Sequence, residues 1–221
     1  MVRAAGKRRG RPPATAAVVD EARADLMDAA SEVYGRHGYD ATSVTLIIQA
    51  AGISRPTFYK QFANKHEVLA AVVWRANEDL YRRILERLTG AATPVAQLEA
   101  VTDAYLAWGC DTGALVRILY SEIHHPASPV SEARNWVIGK LLELFQVQAR
   151  EAGIKDVDPL YLDVLVGAVE RAGASLFESG RIREEALARR RGIILRVLLA
   201  GLARPGEYES IPELPRQPQN R

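Results

Sequence analysis

Residues 42–65 have the sequence Thr-Ser-Val-Thr-Leu-Ile-Ile-Gln-Ala-Ala-Gly-Ile-Ser-Arg-Pro-Thr-Phe-Tyr-Lys-Gln-Phe-Ala-Asn-Lys, which is the clearest structural signal in the chain. Thr42 or Ser43 can cap a first short helix, because either hydroxyl can accept a hydrogen bond from a backbone N–H that lacks a partner within the helix. Four apolar residues then recur at helical spacing, namely Val44, Ile47, Ile48 and Ala51. Gly52 stands where the chain must turn sharply, with a positive φ that glycine adopts at little cost. The first half of the stretch therefore predicts a short helix that ends at Gly52.

A second short helix is predicted directly after this turn. Ser54 can cap it, and Pro56 fits its first turn, where a missing backbone N–H costs nothing. Phe58 and Phe62 have helical spacing, so both are expected to face the protein interior. The other side chains share the outer surface and include no acidic group: Arg55, Thr57, Tyr59, Lys60 and Gln61. Two short helices joined by a tight turn are typical of a DNA-binding helix-turn-helix, whose second helix enters the major groove.

The segment from about residue 21 to residue 71 resembles the DNA-binding domain of the tetracycline-repressor (TetR) family of bacterial transcription regulators. The matching residues are Gly38-Tyr39, Thr42-Ser43-Val44, Ala50-Ala51-Gly52-Ile53-Ser54, Thr57-Phe58-Tyr59-Lys60-Gln61-Phe62 and Asn64-Lys65-His66-Glu67-Val68-Leu69. The resemblance covers roughly the first third of the chain, and several spaced features coincide in it. An ordinary helical hairpin with a chance likeness is the alternative.

The resemblance also implies which residues contact a double-stranded DNA operator. Carried onto the matching positions, the family's pattern puts Arg55 and Thr57 near the bases. It puts five other residues near the phosphates, namely Thr42, Ser43, Tyr59, Lys60 and Lys65. Ser54, the cap of the second helix, belongs to the same expected surface. Base contacts carry sequence information, whereas phosphate contacts set affinity and register.

Residues 1–13 are a second signal for nucleic acid, because they contain five Lys and Arg residues and no acidic residue. Such a segment has little apolar surface and is expected to be disordered by itself. Arg9 and Arg11 lie in an Arg-Gly-Arg-Pro sequence that resembles the core of an AT-hook, an arm that enters the minor groove of A·T-rich DNA. Arginine suits the strong negative potential of that groove. A solvated basic tail that adds only non-specific attraction is the alternative.

Composition agrees with contact to nucleic acid at one end of the chain. The 221 residues include 29 Lys and Arg and 27 Asp and Glu, so the formal net charge is only +2, with the positive excess in the N-terminal arm. The single cysteine, Cys110, excludes an intramolecular disulfide and fits a reducing compartment. No secretory signal and no apolar run of membrane-spanning length is present. The expectation is a bacterial cytoplasmic protein without membrane contact, associated with the nucleoid when bound to DNA.

Hydrophobic periodicity is helical along the whole chain, and no alternating strand pattern is evident. This predicts an all-α fold, in which an N-terminal three-helix DNA-binding domain with the helix-turn-helix precedes a larger helical ligand-binding and dimerisation domain. The expected divisions are a disordered basic arm at 1–18, the DNA-binding domain at 19–68, the regulatory and dimerisation domain at 69–203 and an irregular Pro-rich tail at 204–221. The first helix should stop at Gly38, and a helix capped by Asn64 should run to about Leu88 and connect the two domains.

The family's regulatory domain holds a pocket for a small-molecule effector, and the resemblance implies such a pocket here. In the family, ligand entry moves the connecting helix so that the paired DNA-binding heads no longer fit the operator. Ligand pockets are mainly apolar and aromatic with few polar groups. The candidate lining residues are Trp74, Tyr81, Tyr105, Trp108, Tyr120, His124 and Trp136. Any one of these aromatic residues is more often part of an ordinary core than a ligand contact.

A homodimer is expected, because a single DNA-binding helix contacts too few base pairs for a specific site. The last two helices, near 159–179 and 182–202, are the candidates for the interface, and the resemblance implies a four-helix interface of this kind. Their apolar residues at helical spacing include Leu165, Val169, Ala172, Leu176, Ile194, Val197 and Leu198. These two helices could instead close the core of the subunit itself.

Three classes of function fit these observations to different degrees. The first is a dimeric transcriptional repressor that a small-molecule effector releases from a palindromic operator. The second is a DNA-binding protein of the same build without such an effector, either architectural or controlled by a protein. An enzyme is the least supported, because Glu122 and His125 form a lone Glu-x-x-His and no catalytic motif accompanies the histidines. Neither a cofactor nor a metal site is expected.

Overall fold

The computed structural model describes residues 16–122, 128–151, 158–177 and 182–202. Within these ranges the chain is helical and has no strand, which confirms the all-α fold. The helices are α1 (Ala16–Ala41), α2 (Val44–Ala51), α3 (Arg55–Gln61), α4 (Lys65–Leu88), α5 (Pro94–Thr112), α6 (Leu115–Glu122), α7 (Pro129–Glu151), α8 (Pro159–Phe177) and α9 (Glu184–Leu202). None of the described helices is long and apolar enough to cross a membrane. Outside the described residues lie Arg9 and Arg11 of the basic arm, His124, His125 and the tail at 204–221.

The ends of α1 differ in part from the expectation. The helix begins at Ala16, so the last residues of the segment 1–18, which was expected to be disordered, are helical. At Gly38 the backbone leaves the helical conformation, with φ 77° and ψ 172°, before the chain continues for a last turn to Ala41. A residue with a Cβ would be strained at this φ, so the glycine permits the break. The helix is therefore interrupted where the sequence predicted that it would stop.

The first three helices share a small core with the start of α4. α1 packs against α2 and α4, and α2 packs against α3. The most buried side chains of this core are Leu26, Tyr34, Ile47, Phe58, Phe62, Val68 and Leu69. Full burial of an apolar side chain of this size stabilises by roughly 1.5–3 kcal/mol. Phe58 and Phe62 thus anchor the short α3 from its inner side, as the sequence predicted.

α4 connects the helix-turn-helix to the rest of the molecule. The Asn64 side chain accepts a hydrogen bond from the N–H of Glu67 at 3.0 Å, and the Glu67 carboxylate accepts one from the N–H of Ala63 at 2.5 Å. Two backbone donors at the helix start are thereby satisfied, in a variant of the predicted capping box. Beyond its first turns α4 packs against α5 and α7. One continuous helix therefore contributes to both cores.

The larger part of the molecule is a helical bundle built on α4. α5 and α7 pack on α4, α8 and α9 pack on each other, and α9 also packs on α5. α5 and α8 approach closely, because a Cβ at Gly173 would lie 2.0 Å from the Tyr105 hydroxyl oxygen. α6 packs against α1 on one side and α8 on another. It thereby bridges the bundle and the N-terminal helices.

Candidate nucleic-acid interface and ligand cavity

Side-chain caps and a left-handed glycine shape the helix-turn-helix. Ser43, rather than Thr42, caps α2, and its hydroxyl accepts from the Leu46 N–H at 3.2 Å. Gly52 has φ 63° and ψ 27°, and its N–H donates to the Gln49 carbonyl at 3.3 Å. Ser54 caps α3 by accepting from the Thr57 N–H at 3.3 Å. The turn and both caps therefore arise from interactions between residues close in sequence, which is why the sequence predicted them.

The outer face of α3 is exposed and carries no negative charge. Arg55, Tyr59 and Lys60 are exposed, and Tyr59 is 49% exposed although it is aromatic. The Arg55 guanidinium donates to the Thr45 hydroxyl at 3.1 Å, which links the outer faces of α3 and α2. No Asp or Glu occurs in residues 41–66. Thr45 is an exposed residue of this face that was not predicted from the sequence. Its position on the polar side of the predicted first helix could have identified it.

Thr42 and Lys65 are engaged inside the domain, contrary to their expected role at phosphates. Thr42 is only 2% exposed, and its hydroxyl donates to the Gly38 carbonyl at 2.6 Å. The Lys65 ammonium donates to the carbonyls of Tyr39 and Thr42, each at 2.9 Å, and of Asp40 at 3.3 Å. An ammonium group has three donors, so these carbonyls occupy all of them. In this structure both side chains therefore hold the end of α1 against α4, rather than pointing donors to the outer face.

Two further side chains fix the position of the DNA-binding helices on α1. Arg23 donates to the Gln61 carbonyl at 2.7 Å, and its guanidinium lies 4.0 Å from the centroid of the Phe62 ring. The Tyr34 hydroxyl donates to the Lys65 carbonyl, and burial raises the pKa of Tyr34 above its usual value. These contacts span long sequence separations, so local patterns gave no signal for them. They hold the end of α3 and the start of α4 on one scaffold.

A cavity of about 100 Å³ lies inside the bundle, between α4, α5, α6, α7, α8 and α9. Its wall is mainly apolar. The apolar lining includes Leu80, Ile84, Val101, Leu119, Val130, Val137, Ile138, Leu141, Phe145, Val166, Val169 and Leu198. Such a volume can hold several waters or part of a small apolar molecule. The bundle therefore contains an apolar site of the kind that ligands occupy.

The polar groups of the cavity wall form one main cluster. The Tyr105 and Tyr120 hydroxyls are hydrogen bonded to each other. Arg134 and Glu170 form a two-point ion pair, with Nε to Oε1 at 2.8 Å and Nη2 to Oε2 at 2.6 Å. Burial raises the pKa of Tyr105 and of Tyr120, and the nearby Glu170 carboxylate adds to both rises. The two tyrosines therefore remain neutral hydrogen-bonding groups at ordinary pH.

The structure brings only some of the expected ligand residues to this cavity. Tyr105, Trp108 and Tyr120 line it, and the Trp108 indole donates to the Ala76 carbonyl at 2.8 Å. Trp74 and Trp136 instead pack on each other, with ring centroids 5.4 Å apart, and Tyr81 packs on Trp136 with centroids 5.9 Å apart. These three are absent from the lining, so their assignment to the pocket was wrong. The Arg134–Glu170 ion pair was not predicted from the sequence, because it forms only when α7 packs against α8.

Solved structures with the same fold are TetR-type and fatty-acid regulators. The fatty acid degradation regulator FadR from Bacillus halodurans superposes with a TM-score of 0.68 at 20% identity, over 88% of this chain and 99% of that one. FadR from Bacillus subtilis in complex with stearoyl-CoA has a TM-score of 0.68 at 19% identity, over 81% of this chain and 98% of that one. At these identities the likeness shows the fold.

Curated relatives share parts of the sequence. The chain is 35% identical over 86 residues to the HTH-type transcriptional activator FasR of Mycolicibacterium smegmatis, which is 39% of each chain. It is 39% identical over 69 residues to the HTH-type transcriptional repressor ComR of Escherichia coli, or 31% of this chain and 30% of that one. It is 30% identical over 138 residues to the HTH-type transcriptional repressor KstR2 of Rhodococcus jostii, or 61% of this chain and 66% of that one. Each match spans less than two thirds of the relative.

The strongest family evidence lies in the helix-turn-helix itself. Residues 26–72 match the family model of the bacterial regulatory proteins, tetR family. This span contains α2, α3 and the first turns of α4. This segment of the chain matches the TetR family. The resemblance inferred from the sequence is thereby confirmed, and the named relatives are transcription regulators rather than enzymes.

The last two helices of this chain expose a different apolar face from the expected one. Four residues assigned to a dimer interface are buried within the subunit's own core, namely Leu165, Leu176, Ile194 and Leu198. Val169 lines the cavity, whereas Ala172 and Val197 are half-buried. The exposed apolar side chains are Leu160 at 69%, Val164 at 61%, Tyr161 at 44% and Ile193 at 38%. The four buried residues and Val169 are therefore not exposed on the surface of the subunit, contrary to their assignment to an interface.

α6, like α4, connects the cavity with the N-terminal helices. Leu119 and Tyr120 of α6 line the cavity. On the same helix, the Arg117 guanidinium donates to the Gly35 carbonyl of α1 at 2.7 Å. The backbones are close at this point, since a Cβ at Gly35 would lie 2.5 Å from the Ala114 Cβ. Both α4 and α6 therefore connect the cavity wall with α1.

Proposed function

We propose that this protein is a dimeric DNA-binding transcription regulator, which represses at a palindromic operator and is released from it by a small-molecule effector. The observation that carries the proposal is the outer face of the helix-turn-helix, where Arg55, Tyr59 and Lys60 are exposed on a capped helix. Repression is proposed because two of the three relatives described above are named repressors and one an activator. The division into a DNA-binding domain at 19–68 and a regulatory domain at 69–203 belongs to the proposal.

The proposed DNA contacts follow from exposure and position on the helix-turn-helix. Arg55 and Thr57 lie at the N-terminal end of α3, which is the part of a recognition helix that approaches base edges. Phosphate contacts are assigned to exposed donors at the starts of α2 and α3 and along the outer face of α3, namely Ser43, Thr45, Ser54, Tyr59 and Lys60. Arg9 and Arg11 are proposed to contact the neighbouring minor groove through the basic arm. Bases would then set the sequence preference, and phosphates the affinity.

Dimerisation is proposed through the outer face of α8 and α9. Leu160 and Val164 are each more than half exposed in a single subunit, which is unfavourable for large apolar side chains in water. The Tyr161 hydroxyl donates to the Gly201 carbonyl at 2.9 Å and ties α8 to α9, so the two helices present one surface. A two-fold pairing of this surface would place two helix-turn-helix units on one operator.

Effector control is proposed to act on the position of the DNA-binding helices. α4 contributes Asn77, Leu80 and Ile84 to the cavity and begins within the DNA-binding core. The B. subtilis FadR that shares the fold was crystallised with stearoyl-CoA, which supports a ligand site in this bundle. An effector must bind the DNA-incompetent state more tightly than the competent one. Couplings of about 1–3 kcal/mol are typical and would change operator affinity about 5–150-fold.

The test is to isolate genomic fragments that the purified protein binds and to footprint them. Protection of a discrete palindrome is expected for the wild type. Arg55→Gln should lose the specific footprint, whereas Arg87→Gln, which alters an exposed arginine at the far end of α4, is the matched control and should keep it. Broad coating of A·T-rich DNA, with no discrete site, would instead support the architectural alternative.

Release is tested on the same operator with a panel of small apolar compounds. A compound that stabilises the protein thermally and lowers its operator affinity would be an effector. If every compound that binds leaves operator affinity unchanged, control by a small-molecule effector is rejected. Control by a protein is then the supported alternative.

A further inference from the structure

The cavity wall restricts the chemistry of an occupant, and this inference rests on the proposed function, which assigns the effector to that cavity. Side chains from six helices form the wall, and most of them are apolar. An occupant therefore gains affinity mainly by removing apolar surface from water. A molecule that is polar over most of its surface would lose its hydration without compensation.

The two charged side chains of the wall neutralise each other. Arg134 and Glu170 pair through two hydrogen bonds of 2.8 and 2.6 Å, and each side chain is only 21% exposed. A carboxylate in the cavity would have to draw Arg134 away and leave Glu170 unpaired in a poorly hydrated position. An ammonium group would leave Arg134 unpaired in the same way. The wall therefore disfavours an occupant that places a charge inside the cavity.

The tyrosine pair provides a hydrogen-bond donor to the cavity. Two hydroxyls that are bonded to each other use only one of their two O–H groups as a donor. The Tyr105 and Tyr120 hydroxyls are bonded in this way, and within the described part of the chain no other hydrogen-bond acceptor is assigned to either. Both tyrosines are lining residues of the cavity. One O–H of the pair is therefore available to an acceptor on an occupant.

The fold makes room for this hydroxyl pair. A Cβ at Gly173 would lie 2.0 Å from the Tyr105 hydroxyl oxygen, so only glycine at this position of α8 leaves the hydroxyl in place. Asn77 and Thr102, two other polar residues of the wall, donate to carbonyls of their own helices at 2.9 and 2.8 Å. These two side chains therefore donate to backbone carbonyls rather than to a molecule in the cavity. The tyrosine pair is thus the polar feature best placed to orient an occupant.

We propose that the effector is an uncharged, mainly apolar molecule with a carbonyl-type acceptor, which accepts a hydrogen bond from the Tyr105–Tyr120 pair. Part of its apolar body occupies the cavity, and the Arg134–Glu170 ion pair stays closed beside it. Compounds of the same shape that carry a carboxylate or an ammonium group in place of the carbonyl bind more weakly. Compounds without any acceptor also bind more weakly.

Calorimetric titration of the full-length protein with methyl octyl ketone, decanoate, decylamine and decene tests the proposal. The ketone is expected to bind most tightly. The double variant Tyr105→Phe/Tyr120→Phe removes both hydroxyls without leaving one unpaired, and should lower ketone affinity about five-fold, the value of one hydrogen bond, while decene binding stays the same. Tyr81→Phe is the matched control, because Tyr81 packs on Trp136 outside the cavity lining.

A substitution at Glu170 tests separately whether the ion pair disfavours charged occupants. Glu170→Gln frees Arg134 from its carboxylate partner, so decanoate affinity should rise at least about ten-fold, while ketone affinity changes little. Decanoate affinity that does not respond to this substitution would overturn the proposal.

Three further outcomes would overturn it: no binding of the ketone, tighter binding of decanoate than of the ketone to the wild type, or equal ketone affinity in the wild type and the double tyrosine variant. These measurements contain no DNA, so they are independent of operator release. Failure of the proposed function would show instead as a bound ligand that leaves operator affinity unchanged.

Discussion

Lys60 and Lys65 both lie close to the outer face of the helix-turn-helix, but their ammonium groups have different surroundings. Lys60 is exposed in the last turn of α3, whereas Lys65 donates to three backbone carbonyls. We expect Lys60→Met to reduce the slope of log affinity against log salt concentration by about 0.9 per subunit, because one phosphate contact is lost. A salt titration of operator binding measures this slope.

Lys65→Met is the matched comparison and should behave in the opposite way. Loss of hydrogen bonds from a charged donor should lower the free energy of unfolding by about 1.5 kcal/mol or more, with little change in the salt slope. Denaturant unfolding measures the first quantity. If the salt slope fell for Lys65→Met and stayed constant for Lys60→Met, both assignments would be reversed.

The role of the Tyr59 hydroxyl can be tested by a substitution that removes only this group. Its ring packs edge-on against Phe58 with centroids 5.3 Å apart, and its exposed hydroxyl is free to reach a phosphate. Tyr59→Phe should weaken operator and non-specific binding alike by about 1 kcal/mol, since a phosphate contact carries no sequence information. Parallel titrations with operator and random duplex check this. A loss confined to the operator would mean that Tyr59 contacts a base.

At the scale of elements, α6 shares with α4 the property of touching both the cavity and α1. Arg117→Met removes the hydrogen bond to the Gly35 carbonyl, which is 2.7 Å long. Operator affinity without effector should change less than about two-fold, while the effector-induced loss of affinity should shrink several-fold, because one of two connections is weakened.

Arg150→Met, at the exposed end of α7, is the matched control for this substitution and should leave both quantities unchanged. The measurement is operator titration with and without a compound that releases the wild type. Full release of the Arg117→Met protein would show that α4 alone carries the coupling.

At the scale of the whole molecule, the outer face of α8 and α9 decides whether two helix-turn-helix units can act together. Val164→Glu places a charge at a site that is 61% exposed in one subunit, so the subunit should fold normally. In a dimer that buries this site, an unpaired charge costs about 3 kcal/mol or more, which raises the dimer dissociation constant over about a hundred-fold. Sedimentation velocity and operator titration measure the two consequences.

Val147→Glu, at a position of α7 that is 48% exposed, provides the control and should remain dimeric. A Val164→Glu protein that sediments as a dimer and binds the operator normally would place the interface elsewhere.

The helix-turn-helix could be predicted from the sequence in most of its detail. Ser43, Gly52 and Ser54 act on backbone groups within a few positions of themselves, so their roles depend on local order along the chain. The apolar spacing of Phe58 and Phe62 likewise determined which side of α3 is buried. These interactions need no information about distant segments, and the same local pattern identified the family.

Only the tertiary structure decided the roles of residues whose partners lie far away in sequence. The Lys65 ammonium donates hydrogen bonds to carbonyls near the end of α1 instead of pointing to the outer face of the helix-turn-helix. Arg134 and Glu170 meet because α7 packs on α8. Helical spacing shows that α9 has an apolar side, but Ile194 is buried and Ile193 exposed because of where α5 and α8 pack. Burial depends on which helices come together in space, and that is a property of the whole chain rather than of any local segment.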